Sequence, residues 1–157
     1  MGLTPHSGLP LFAVVFLMTQ QAYQSQVLSI AQADYEILEC GIQNLRRLFM
    51  GIDPPAVAAL ASIPKFIDKQ VRHFAYAEKQ VFPLLVVDNP GENLAQVVAE
   101  LRQEQATLLE ELRWLKNLLQ RYCQTRFTDE LRTATLDFFA TLEKHSAKEA
   151  QLFALFN

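Results

Sequence analysis

RHFAYAEKQVFPLL, residues Arg72 to Leu85, places a histidine on a strongly apolar stretch of helical character. His73 is one of three histidines in 157 residues, and a second, His145, has a similar setting in LEKHSAKEAQLFALF, residues 142–156. An imidazole among apolar neighbours needs a hydrogen-bond partner or a metal. The two segments therefore read either as two halves of one buried site or as two separate packing features.

Outward from these stretches, breakers divide the chain into four segments of helical period. The first ends at Met50, before GIDPP. The second begins between Pro54 and Pro64, with Ser62 and Pro64 as start signals, and runs to about Val87. The third opens at Asn89-Pro90-Gly91-Glu92, which offers an Asn cap and a first-turn Pro, and reaches about Cys123. The fourth starts near Thr128-Asp129-Glu130, with acids suited to a helix N-terminus, and continues almost to Asn157. Short connections make successive helices antiparallel neighbours, so the expected fold is all-α, an antiparallel up-down four-helix bundle.

Alternating steps of three and four pick out each inward stripe. Helix one gives Ala31, Tyr35, Leu38, Ile42, Leu45 and Phe49. Helix two gives Ile63, Phe66, Gln70, His73, Ala77, then Gln80 or Val81, then Leu84. Helix three gives Leu101, Gln105, Leu108, Leu112, Leu115 and Leu119. Helix four gives Leu131, Thr135, Phe138, Leu142, His145, Glu149, Leu152 and Phe156. Polar residues interrupt these stripes at Tyr35, His73, Gln105, His145 and Glu149, so every helix contributes to what reads as a single polar layer.

Composition bounds the function. Half of the residues are hydrophobic and the formal charge is −3, with no basic cluster larger than Arg46-Arg47, which speaks against nucleic-acid binding. Two cysteines, Cys40 and Cys123, lack metal or redox spacing and suit a reduced, cytoplasmic setting. LPLFAVVFLM, residues 9–18, is too short to span a bilayer, and no Lys or Arg precedes it. Residues 1–30 are therefore expected to form an apolar extension that packs on the bundle, residues 31–157, or pairs with a second copy in a homodimer rather than entering a membrane.

His145 and Glu149 project from one helix face a turn apart, and a His and a carboxylate at this spacing can share a metal ion. His73 would complete a set of two His and one carboxylate, the ligand set of mononuclear non-haem iron. Tyr35 could add a phenolate and Gln105 a weak oxygen or a supporting hydrogen bond; zinc or manganese would suit the same atoms. Beside this stands the plainer reading of a hydrogen-bonded polar core layer without metal. Glu78 and Glu104, one position off the stripes, are expected in solvent.

The same residues carry a family resemblance. HFAYAEKQVFPLL resembles the second-helix motif of hemerythrin-like (HHE cation-binding) domains, where two acids follow the His and an apolar-Phe-Pro ending closes the motif. HSAKEAQLF, residues 145–153, resembles the fourth-helix His-x-x-x-Glu motif. ADYEILECGIQNLRRLF resembles the first helix, with Tyr35 in place of a His, and LRQEQATLLEELRWL the third, with Gln105 in place of another. The resemblance implies a di-iron centre, but Ala77 stands where a bridging acid is expected and Glu78 is turned away from that direction. What it implies here is an altered metal site, mononuclear iron at most, or none. The function that follows is a small-ligand binding protein for oxygen, nitric oxide or iron sensing. The alternative is a metal-free interaction or regulatory module. An iron enzyme is a third reading, for which no acid–base pair is visible.

Overall fold

The computed structural model describes residues 11–51, 55, 60–88, 91–122 and 128–156; the expectations for residues 1–10, the Asn89-Pro90 helix start and Cys123 lie outside them. Among the described residues all regular structure is helical: α1 (Leu11–Met50), α2 (Ile63–Tyr76), a π-helical turn (Ala77–Val81), α3 (Phe82–Asp88), α4 (Glu92–Tyr122) and α5 (Asp129–Ala154). With α2, the π turn and α3 following one another unbroken, these make the four rods of the expected bundle.

Local signals explain the boundaries. Pro64 sits in the first turn of α2, where its missing N–H costs nothing. Thr128 caps α5 through its hydroxyl, which accepts from the Leu131 N–H at 3.2 Å, and Asp129 and Glu130 face the positive end of the helix dipole. The π turn precedes Pro83. Proline there has no N–H for the carbonyl of Lys79 and its ring crowds that carbonyl, and one widened turn accommodates both. The widening moves the inward stripe: Val81, Phe82 and Leu85 are buried, while Leu84 is half-buried and Gln80 exposed.

α1 departs from the expected organisation. It runs on through residue 30, so residues 11–30 of the apolar extension and the first bundle helix are one 40-residue element. Its inward stripe begins at Val27 and Leu28; before them Leu17, Met18 and Tyr23 are exposed. Among the described residues no helix is long and apolar enough to cross a membrane.

The core falls into two apolar clusters. One end joins Val27, Leu28 and Ala31 of α1 with Ala77, Phe82 and Leu85, Val98 and Leu101 of α4, and Leu152 and Phe153 of α5. The other joins Leu38 to Phe49 of α1 with Ile63 to Phe74 of α2, Leu108 to Leu119 of α4, and Leu131 to Leu142 of α5. The middle of α1 thus meets the end of α3, the start of α4 and the end of α5, as an up-down antiparallel bundle requires. Gly41 lets α2 approach α1 closely, since a Cβ there would stand 3.0 Å from the Phe66 ring. Between the clusters each helix skips its apolar residues, and the gap holds the polar layer.

Candidate metal centre

Four of the expected residues meet in that gap. His73 is 3% exposed, Gln105 4%, His145 2% and Glu149 0%. The Glu149 carboxylate is the hub. Gln105 Nε2 donates to its Oε1 at 2.7 Å, and His73 Nε2 lies 3.1 Å from its Oε2. Burial pushes the Glu149 carboxyl up, but His145 and His73 outweigh it and hold the group at about 2. An ionised carboxylate can only accept, so the proton between them belongs to His73 Nε2.

His145 is bound on its other nitrogen. Nδ1 is 3.0 Å from Glu104 Oε2, while Nε2 is turned toward Glu149 Oε1 at 3.5 Å and makes no hydrogen bond. Burial lowers the His145 imidazole, but the two flanking carboxylates of Glu149 and Glu104 raise it above its usual value. The Phe74 ring stands edge-on to the imidazole at 5.3 Å and excludes water from that side.

Glu104 corrects the sequence reading, which put it in solvent. It is half-buried and bonds His145 with one oxygen and Lys148 with the other; these contacts overcome the effect of burial and lower its carboxyl. Its position next to Gln105 was the available signal, because a residue beside a core position lies at the boundary with a neighbouring helix. Glu78, by contrast, is exposed and receives Arg102 Nε at 2.9 Å, away from the layer. Ala77 is fully buried against apolar neighbours.

Tyr35 lies at the right level, between Ala31 and Leu38, but only half-buried. Burial, then the charge and hydrogen bond of Glu39 one turn on, push its phenol up, and it takes no part in the bonds around Glu149. α1 therefore supplies no ligand from this position in the arrangement observed.

Gln70 is a polar member of the core whose role was not anticipated. It is fully buried, its amide nitrogen and oxygen both lack partners, and so does Nδ1 of His73, three residues on along the same helix. A buried unpaired amide costs about 1–3 kcal/mol. Gln70→Leu is therefore expected to stabilise the metal-free chain by about 1–2 kcal/mol, read as a higher urea midpoint. An unchanged or lower midpoint would show that Gln70 is satisfied in solution.

The donor set does not fit a two-metal centre: Ala77 has no donor atom, Tyr35 is engaged elsewhere, and Gln105 offers one weak oxygen at most. Nor, among the described residues, does any group of three or more His, Cys, Asp or Glu stand so that it could hold a metal ion. The layer nonetheless brings two imidazole nitrogens to one carboxylate. His145 Nε2, buried and unpaired, is directed at Glu149 by a carboxylate on its Nδ1, and His73 Nε2 approaches the same carboxylate. A carboxylate behind a metal-binding imidazole is the usual support for such a ligand.

A family model described as hemerythrin HHE cation binding domain matches residues 28–156. No curated protein and no solved structure matches the chain.

Proposed function

Because the chain belongs to the hemerythrin HHE cation-binding domain family, we propose that it is a binding protein that takes one metal ion at His73, His145 and Glu149. The observation that supports this most is the unpaired His145 Nε2, held toward Glu149 by the Glu104 bond on the opposite ring atom. In the metal-free core that nitrogen makes only a 3.5 Å ion pair with Glu149 and no hydrogen bond, which leaves it available to a metal. Two imidazoles and one carboxylate suit Fe(II), with zinc or manganese as competitors. An iron held by so few protein atoms offers its remaining positions to a small ligand such as oxygen or nitric oxide. This fits a sensing role better than storage. The chain's own residues supply the rest: Glu104 and Gln105 fix His145 and Glu149, and Phe74 keeps the site dry.

One observation favours a second reading. Both Glu149 oxygens already accept hydrogen bonds, from Gln105 and His73, so the layer can close without a cation. A metal-free bundle would then work through partners. Metal content decides between them. Chelator-treated protein reloaded anaerobically with Fe(II) is expected to hold about one iron per chain by plasma mass spectrometry, as two His and one carboxylate allow. His145→Ala should abolish it. A chain that takes up no iron, zinc or manganese sinks the metal-binding reading. Two irons per chain would overturn the mononuclear assignment.

Pairing of two copies through the start of α1 belongs to the same proposal. No Asp, Glu, Lys or Arg precedes Asp34, so two copies can align there without like-charge repulsion. Leu17 and Met18, 49% and 65% exposed, would then be covered. Sedimentation is expected to show a dimer that Leu17→Gln/Met18→Gln converts to monomer; equal masses would refute this surface.

A further inference from the structure

Among the described residues, one cleft reaches the buried layer at His145. Between α4 and α5 lies a cleft of about 320 Å³, walled by Gln103 and Thr107 on one side and Thr141 and Lys144 on the other, with the edge of His145 at its back. Across it runs the Glu104–Lys148 ion pair. A second, larger and mainly apolar cleft of about 620 Å³ continues toward Leu155, and it too has Glu104 and Lys148 in its wall. Glu104 thus stands between solvent and His145: one oxygen is held by the ammonium of an exposed lysine, the other by the buried imidazole.

We infer that the α4–α5 cleft is the passage from solvent to the buried histidines, and that Glu104, latched outward by Lys148, is the side chain that closes it. The idea rests on the proposed metal-binding function for what passes through, a hydrated divalent cation, but not for the passage itself. The geometry restricts the alternatives. His73 lines none of the clefts described, whereas His145 reaches one while remaining almost fully buried. Closure rests on the bond to His145 Nδ1 and on an ion pair at the surface. Such pairs are weak, since water competes for both charges, so the carboxylate can swing out without disturbing the apolar clusters on either side. When it swings, it uncovers Nδ1 of His145 and leaves a carboxylate at the mouth, where an incoming cation is attracted.

The test uses the full-length chain, freed of metal, and diethyl pyrocarbonate, which labels accessible imidazoles; labelling at His145 and His73 is read by peptide mass spectrometry. Wild-type His145 is expected to react slowly. Lys148→Ala and Glu104→Gln should each accelerate it about tenfold, as loss of one charged hydrogen bond from the closed state implies, with His73 unchanged. Parallel acceleration of both histidines would mean general loosening and would overturn the proposal. So would a His145 that labels equally fast in wild type and variants. A second arm follows uptake of zinc alone: Thr141→Trp, which fills the cleft, should slow it without lowering the final amount bound, and uptake at the wild-type rate counts against the passage. If no chain takes up zinc while His145 alone still responds to Lys148, the passage stands and the metal-binding function falls.

Discussion

Glu149→Ala is expected to destabilise the metal-free chain by about 3–5 kcal/mol, because it strips the common partner from a buried, charged polar layer. In the native layer Glu149 accepts from Gln105 and His73 and neutralises the charge on His145. Its removal leaves the Gln105 amide and His73 Nε2 without their partner, and His145 with Glu104 alone, in a region closed to water. Glu149→Gln keeps the shape and one acceptor oxygen, so its loss should be smaller, about 1–3 kcal/mol. A triple replacement, His73→Leu/His145→Leu/Glu149→Leu, should recover much of the loss, since buried ion pairs exchanged as a set for apolar residues are often neutral or stabilising. Urea unfolding in the presence of chelator measures all three. Were Glu149→Ala as stable as wild type, the network around it would not exist in solution. Recovery in the triple variant would further show that the layer is retained for something other than stability.

The second large effect is with pH, and its two arms have opposite signs. Glu149 titrates at about 2 when folded, against an ordinary 4.5. Its contribution, about 3 kcal/mol, is therefore present above pH 4.5 and lost as pH falls toward 2. His145 is raised above its ordinary 6.5, so what it contributes is present below pH 6.5 and lost as pH rises through the folded value. The metal-free chain should thus be most stable between pH 4.5 and 6.5 and weaken on both sides. A cation reverses the alkaline arm. It needs the unprotonated His145 nitrogen, so binding and the stability it confers grow as pH rises. Melting temperatures with chelator and with zinc should diverge above pH 6.5. A metal-free Tm that climbs from there toward pH 9 would contradict the charge assignment to His145. Glu149→Gln should flatten the acid arm.

Period and punctuation carried much of the fold. The stripe of α4, from Leu101 through Gln105 to Leu119, and that of α5, from Leu131 to Leu152, are buried where a 3.6-residue repeat puts them. The failures are equally physical. On α1 the buried positions step from Ala31 to Leu38, and the helix drifts so that Asp34 and Tyr35 share the boundary, neither of them inside. On the second rod the π turn before Pro83 exchanges Leu84 for Leu85 at the core. Neither event alters composition or average periodicity, which is why the pattern alone passes over them.

What the sequence by itself determined was the set of residues able to build a polar layer and the level at which they stand, since both follow from spacing along single helices. It showed equally that Ala77 can bind nothing. Which of those residues meet was decided only by the tertiary structure. Glu104 reaches His145 because α4 and α5 lie side by side, Tyr35 turns to Glu39 on its own helix, and Gln70 is buried with its amide unpaired. A hydrogen bond acts over about 3 Å between atoms of different helices. The rotation of one helix against another, which sets those distances, is a property of the whole packed core and is written in no single stretch of the chain.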